Sequence, residues 1–133
     1  LQRTNPDLVI VGGQDATTAL TKHDLTEPWT DFLRDYSTSG LPNTKTLVRI
    51  SEALDVDAIV VGAMLQVKQE DSDGFSYPIT QVSIRYTMFD AAKGTVLWEL
   101  TGEGKIRPYS YSAAPVFQAA KLAHDKILEK LPL

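Results

Sequence analysis

The strongest strand pattern in the chain constrains its fold most. Ala58 to Val67 reads Ala-Ile-Val-Val-Gly-Ala-Met-Leu-Gln-Val, almost wholly apolar and without a charged residue. Such a run predicts a central β-strand that is covered on both faces of a sheet. The polar segment from Gln69 to Gly74 follows as a turn, so we expect the chain to return as a neighbouring strand.

The next segment has the alternation of a strand with one face open to solvent or to a partner. Its two sets of side chains are Val82, Ile84, Tyr86 and Met88 on one side and Gln81, Ser83, Arg85 and Thr87 on the other. Asp90 to Gly94 predicts a hairpin loop in which Gly94 supplies a positive φ. The chain then returns as a third strand over Thr95 to Leu100.

Helical spacing surrounds these strands. It predicts a helical stretch from Asp15 to Tyr36, a second helix capped by Asn43 or Thr44, and a final helix capped by Ser112. Asp7 to Gly12 is short, apolar and partly β-branched, which favours a buried strand. We therefore expect an α/β (α+β) fold with a single mixed or antiparallel sheet, helices packed mainly on one face, and the order β-α-α-β-β-β-α. No linker interrupts residues 1–133, so we expect one domain.

Composition narrows the function. The formal net charge is -4, with acids and bases interleaved, and this argues against nucleic-acid binding, which needs a basic face. Cysteine is absent, which excludes a disulfide, a thiolate zinc site and a cysteine nucleophile. No apolar stretch reaches the roughly 18 residues of a membrane span. The chain starts at Leu1 without an initiator Met, so we expect that a preceding segment was removed.

Catalytic and metal-binding motifs are largely missing. Gly102 to Lys105 lacks the Gly and the Ser or Thr that would complete a phosphate loop, so its glycines are expected to leave space for a neighbouring backbone or helix. His23 and His124 lie on different predicted helices. We predict no catalytic residues, no cofactor and no metal site. A hydrolase or transferase that uses Glu99 and Glu103, four residues apart, stays as a minor alternative.

The loop before the last helix is the candidate contact surface. Arg107, Tyr109 and Tyr111 combine large contact area with hydrogen-bonding capacity, which suits a binding site. The alternative is that the tyrosines only cover the start of the helix. If Tyr86 converges with Tyr109 and Tyr111, these side chains would instead line a pocket for a small ligand or glycan.

Two segments resemble a bacterial envelope family. They are Leu54 to Gly62, which ends the second helix and begins the apolar strand, and Phe89 to Trp98, which forms the hairpin. They resemble the domain shared by the lipoprotein CsgG, the amino-terminal domain of TolB, LpoB and PelC. The resemblance runs from about Leu47 to Leu131.

The resemblance implies a periplasm-facing lipoprotein domain that acts in secretion, polysaccharide export or cell-wall synthesis. It implies protein partners or homo-oligomers, no catalytic residues, and attachment to the outer membrane through a lipid anchor that lies outside this chain. Relatives begin with a further strand and helix before the segment that matches Asp7 to Gly12, so the resemblance implies that this chain lacks them. We expect binding and assembly rather than catalysis.

Overall fold

Four α-helices and a three-stranded antiparallel sheet follow in the order α-α-α-β-β-β-α, which confirms the α+β fold class. The computed structural model describes residues 9, 11–70, 77–108 and 113–131. The elements are α1 (Gly13–Lys22), α2 (Thr26–Ser39), α3 (Thr44–Leu54), β1 (Ala58–Glu70), β2 (Ile79–Asp90), β3 (Val96–Ile106) and α4 (Val116–Lys130). Within these residues, no helix is long and apolar enough to cross a membrane.

The chain divides into two compact units, and each strand contributes residues to both. Unit 1 comprises Leu1–Val60 and Met88–Trp98, and unit 2 comprises Val61–Thr87 and Glu99–Leu133. The expectation of a single domain stays a prediction.

In unit 1, α1, α2 and α3 pack against one another around a largely aromatic core. Phe32 stacks between Trp29 and Tyr36, and Phe89 meets the rings of Phe32 and Tyr36 edge-on, with centroids 6.0 and 5.3 Å apart. Edge-to-face pairs at this distance are favourable beyond the area that they bury. The other buried apolar side chains of the unit are Leu20, Leu25, Leu47, Ile50, Ile59 and Ala91.

In unit 2, α4 packs on β2 and β3. The core consists of Val82, Ile84, Ala119, Ala123 and Ile127, and three of these side chains lie on α4 at the spacing of one helix face. The wholly buried Thr80 donates its hydroxyl to the carbonyl of Ala114 at 2.7 Å, just before α4 begins.

The amino-terminal prediction is only partly correct. Val9, Val11 and Gly12 lie outside helix and strand, so the described part of the expected Asp7 to Gly12 strand is not a strand, and its other residues lie outside the described residues. The helical stretch divides into α1 and α2 because Asp24 adopts the left-handed conformation, with φ 55°. Asn43 caps α3 as predicted, since its side chain accepts a hydrogen bond from Thr46 N.

The apolar run was predicted to form a covered central strand, and its predicted position in the sheet is wrong. The run does form β1, but the sheet order is β1-β2-β3, so β2 is central and β1 is an edge among the described strands. From Met64 onward every residue of β1 is exposed. The apolar composition of the run predicted the strand correctly, but the predicted burial is wrong from Met64 onward.

Candidate functional site

The predicted contact residues fall in different settings. Arg107 is exposed and follows directly after β3. Tyr86 lies on β2 and is partly buried against the core of unit 2. Tyr109, Tyr111 and Ser112 lie outside the described residues. The predicted convergence of Tyr86 with the two other tyrosines therefore stays a prediction. The prediction that Ser112 caps the last helix is wrong, because α4 begins at Val116 with Pro115 at its N-cap position.

The hydroxyl of Tyr86 has a partner within unit 2. Its oxygen lies 2.6 Å from Nδ1 of His124 on α4, and the two rings meet edge-on. Burial raises the pKa of Tyr86 above its ordinary value. Gly62 faces the same ring, because a Cβ placed there would be 2.9 Å from Cε1 of Tyr86. Together these contacts hold the ring between β1 and α4, a packing role that leaves the hydroxyl less available to a ligand.

The hairpin motif that carries the resemblance has a structural role. The carboxylate of Asp90 accepts hydrogen bonds from the backbone N–H groups of Ala92 and Lys93, at 2.9 and 3.0 Å. Gly94 has φ 68°, as predicted, and a Cβ there would lie 2.7 Å from the side chain of Thr44. The Asp and Gly of this motif therefore shape a tight turn against α3, and none of these contacts requires a substrate.

The glycine pair on β3 allows close packing with α4. A Cβ on Gly104 would overlap the carbonyl oxygen of Ala119 and lie 2.8 Å from the backbone nitrogen of Ala123. A Cβ on Gly102 would overlap the carbonyl oxygen of Ala123 and lie 2.6 Å from Ile127. Both glycines are buried. The expectation that they leave space for a helix is confirmed.

Glu99, one of the two carboxylates considered for catalysis, has partners on the neighbouring strand. It accepts a hydrogen bond from the hydroxyl of Thr87 at 3.2 Å and lies 3.8 Å from Nε of Arg85. That nitrogen is buried without a hydrogen bond, because 3.8 Å is beyond hydrogen-bonding distance. Glu103 is exposed on β3. The contacts of Glu99 are those of a cross-strand polar cluster.

A charged cluster lies where β1 and β3 end. Lys68 Nζ is 2.8 Å from Glu70 Oε1, and this hydrogen bond is the main cause that lowers the pKa of Glu70. The charges of Lys68, Lys105 and Arg107 lower that pKa further. Arg107, the predicted contact residue, is therefore one of three cations around a single exposed carboxylate, a solvated polar surface.

The sequence did not predict the most unusual surface of unit 2, which we call the β1 edge surface: Met64, Leu65 and Val67. Their exposed fractions are 56%, 47% and 48%. Successive strand residues point to opposite faces, so exposure of both Met64 and Leu65 means that this part of β1 is uncovered on each side. Neighbouring exposed apolar residues at a sheet edge are typical of interaction sites.

Comparisons with known proteins do not assign a family. Neither a protein-family model nor a curated protein matches the sequence. Two solved structures have a similar course of the chain, each with a TM-score of 0.46. The lipoprotein GNA1162 from Neisseria meningitidis is 14% identical over 91% of this chain and 88% of its own, and CT253 from Chlamydia trachomatis is 15% identical over 72% and 61%. At this level neither likeness bears on function.

Metal ligands do not cluster in the part of the chain that the structure describes: no three histidine or acidic side chains come together to hold an ion. The β1 edge surface is therefore the candidate functional site with the clearest physical basis.

Proposed function

We propose that this chain is a non-catalytic assembly domain of a bacterial cell-envelope lipoprotein. It oligomerises or docks onto a protein partner of a secretion, polysaccharide-export or cell-wall-synthesis system. The observation that carries the proposal is the β1 edge surface, where Met64, Leu65 and Val67 are each about half exposed on an uncharged strand edge. Covering such apolar area by association is favourable, and β1, an edge among the described strands, can supply backbone hydrogen bonds to the partner.

The envelope part of the proposal rests on the two resembling segments. Their characteristic residues act in packing here: Asp90 and Gly94 shape the hairpin, and Gly62 admits the ring of Tyr86. Residues with such packing roles support a structural scaffold rather than a reaction centre. Attachment to the periplasmic side of the outer membrane would come from a lipid anchor outside this chain.

The experiment uses the purified chain as bait for solubilised envelope proteins. We expect specific partners to be retained by the unmodified chain and lost when Leu65→Lys places a charge on the β1 edge surface. Thr101→Lys is the matched control, because it adds the same charge at an exposed position of β3. Equal retention by both variants would contradict the assignment of the interface, and a strictly monomeric chain with no retained envelope protein would contradict the function.

The reading as a small-ligand or glycan-binding domain makes a different prediction. It requires Tyr86 to turn its hydroxyl toward a ligand, but that hydroxyl already bonds to His124. A glycan array that compares the unmodified chain with Tyr86→Phe tests this hypothesis.

The hypothesis of a hydrolase or transferase that uses Glu99 has its own test. Unchanged activity of Glu99→Gln in hydrolase screens would contradict it.

A further inference from the structure

We infer that the occupant of the β1 edge surface is β1 of a second copy of this chain, paired antiparallel about a two-fold axis. The inference rests on the proposed assembly function and names its partner and geometry. In such a dimer the two three-stranded sheets join edge to edge. The segment concerned is the part of β1 in unit 2, residues 61–70.

The first step is that the stretch of β1 from Ala58 to Val67 lacks the charged residues and prolines that usually block strand addition. Edge strands are usually protected by charges, by proline, by shortness or by a bulge. β1 is 13 residues long, and the stretch from Ala58 to Val67 contains neither a charge nor a proline. Lys68 is the first charged residue of the strand, and its charge is paired with Glu70 at 2.8 Å.

The second step is the contrast with β3, the other edge among the described strands. That strand carries exposed Glu99, Glu103 and Lys105 at alternate positions over the part that lies in unit 2. Two copies that met at β3 about an axis at Thr101 would bring Glu99 opposite Glu103, and such a pair of like charges is destabilising across two strands. The charges of β3 therefore restrict the registers in which two copies could pair there, whereas residues 61–67 of β1 carry no charge that would restrict pairing with an identical strand.

The third step concerns why the partner is a second copy. A two-fold contact is self-complementary only if each residue tolerates its symmetry mate. If the two-fold axis passes near the middle of residues 61–67, apolar or amide side chains of one copy lie opposite apolar or amide side chains of the other. No two like charges then lie opposite each other. A strongly charged partner strand would find no counter-charge there. An identical uncharged strand satisfies both the backbone and the side chains.

The area involved sets the strength of the dimer. Three half-exposed apolar side chains and one strand edge per copy bury less than the about 1,200–2,000 Å² of stable interfaces. We therefore expect a reversible dimer whose population rises with protein concentration, rather than a permanent one. Tethering copies to one membrane would raise their effective concentration and favour pairing.

Cysteine crosslinking tests the pairing sharply, because the chain contains no cysteine of its own. Single cysteines are placed in turn at residues 63–67, and dimers are trapped with a mild oxidant. Crosslinking should peak at one position or at two adjacent positions, since only residues near the axis bring Cα atoms within about 4.4–6.8 Å. Thr101→Cys on β3 is the exposed control. We expect at least tenfold faster crosslinking at the β1 peak.

Sedimentation of the cysteine-free chain supplies the second measurement. The average mass should rise with concentration, and Leu65→Lys should weaken dimerisation at least tenfold while Thr101→Lys leaves it unchanged. Unchanged circular dichroism and unfolding midpoints establish that the variants fold. Crosslinking no faster at β1 than at Thr101→Cys overturns the inference.

The outcomes separate the inference from the proposed function. A monomeric chain that still retains an envelope protein through Leu65 overturns β1 pairing and leaves the assembly function standing. A monomeric chain that retains nothing overturns both.

Discussion

Replacing Gly104 by Ala adds one methyl group at the closest approach of β3 to α4. The new carbon would lie 2.8 Å from the nitrogen of Ala123 and 2.9 Å from the carbonyl carbon of Ala119. Ordinary contacts between such atoms need about 3.5 to 4.0 Å. Both opposing groups are backbone of fully buried residues, so neither can rotate away. The helix and the strand must separate instead.

The size of the effect follows from that separation. Overpacking a core usually costs about 1–3 kcal/mol, and a clash with backbone belongs at the upper end, so we expect a loss of about 3 kcal/mol in the free energy of unfolding. With a urea dependence of about 2 kcal/mol per molar, the unfolding midpoint falls by about 1.5 M. Urea titration followed by circular dichroism measures it.

Other glycines provide matched controls for the same chemical change. Gly13→Ala meets no atom within 4 Å and lies in the first turn of α1, so it should raise the free energy of unfolding by about 0.5–1 kcal/mol. Gly62→Ala meets the ring of Tyr86 rather than backbone atoms, and should cost about 1 kcal/mol, which is less than the cost at Gly104. A Gly104→Ala variant that unfolds at the wild-type midpoint would refute the packing account of the glycine pair.

Three further changes test other local interactions. Asp90→Ala removes the acceptor of two backbone N–H groups and should cost about 1–2 kcal/mol in thermal unfolding, whereas Asp90→Asn should keep most of it. Asp55→Gly should raise the free energy of unfolding by about 0.5 kcal/mol, because Asp55 is left-handed with φ 52°; no gain would contradict strain there. Tyr86→Phe should cost about 1 kcal/mol at pH 7 through the lost bond to His124. Burial raises the pKa of Tyr86 above 10.0, so its contribution is complete below that pH and is lost as pH rises through the raised pKa. Stability measured across that range should therefore fall less in Tyr86→Phe than in the wild type.

Local patterns predicted most elements because local chemistry determines them. The Asn43 cap depends on a short side-chain acceptor, and the positive φ of Gly94 and the close packing at Gly104 depend on the missing Cβ of glycine, so each follows from one residue type. The break between α1 and α2 was less visible, since Asp24 is not a glycine and yet adopts the left-handed conformation. The alternation on β2 was also too simple: Val82 and Ile84 from one set of side chains are buried, but Thr87 from the other set is buried too.

The candidate site was harder to predict, because it depends on which strands become neighbours. Tyr86 was chosen for its aromatic hydroxyl, and nothing in the sequence shows that His124, 38 residues away, takes up that hydroxyl. Arg107 was chosen for its neighbours in the sequence, whereas its charge acts near Glu70 at the end of another strand. Residues on different elements can be assigned to one site only when the packing of those elements is known.

The apolar run of β1 shows why one sequence pattern is compatible with two positions of a strand in a sheet. A strand covered on both faces and an edge strand that pairs with an identical strand can both lack charged residues, because charges oppose burial in the first case and bring like charges together in the second. Periodicity within one chain therefore cannot separate them. What separates them is the count of covering elements, and here the described part of the chain leaves Met64, Leu65 and Val67 uncovered. The prediction of a central strand is wrong among the described strands and becomes correct in the dimer if the crosslinking peak lies on β1, whereas edge-to-edge pairing leaves both faces of that strand open.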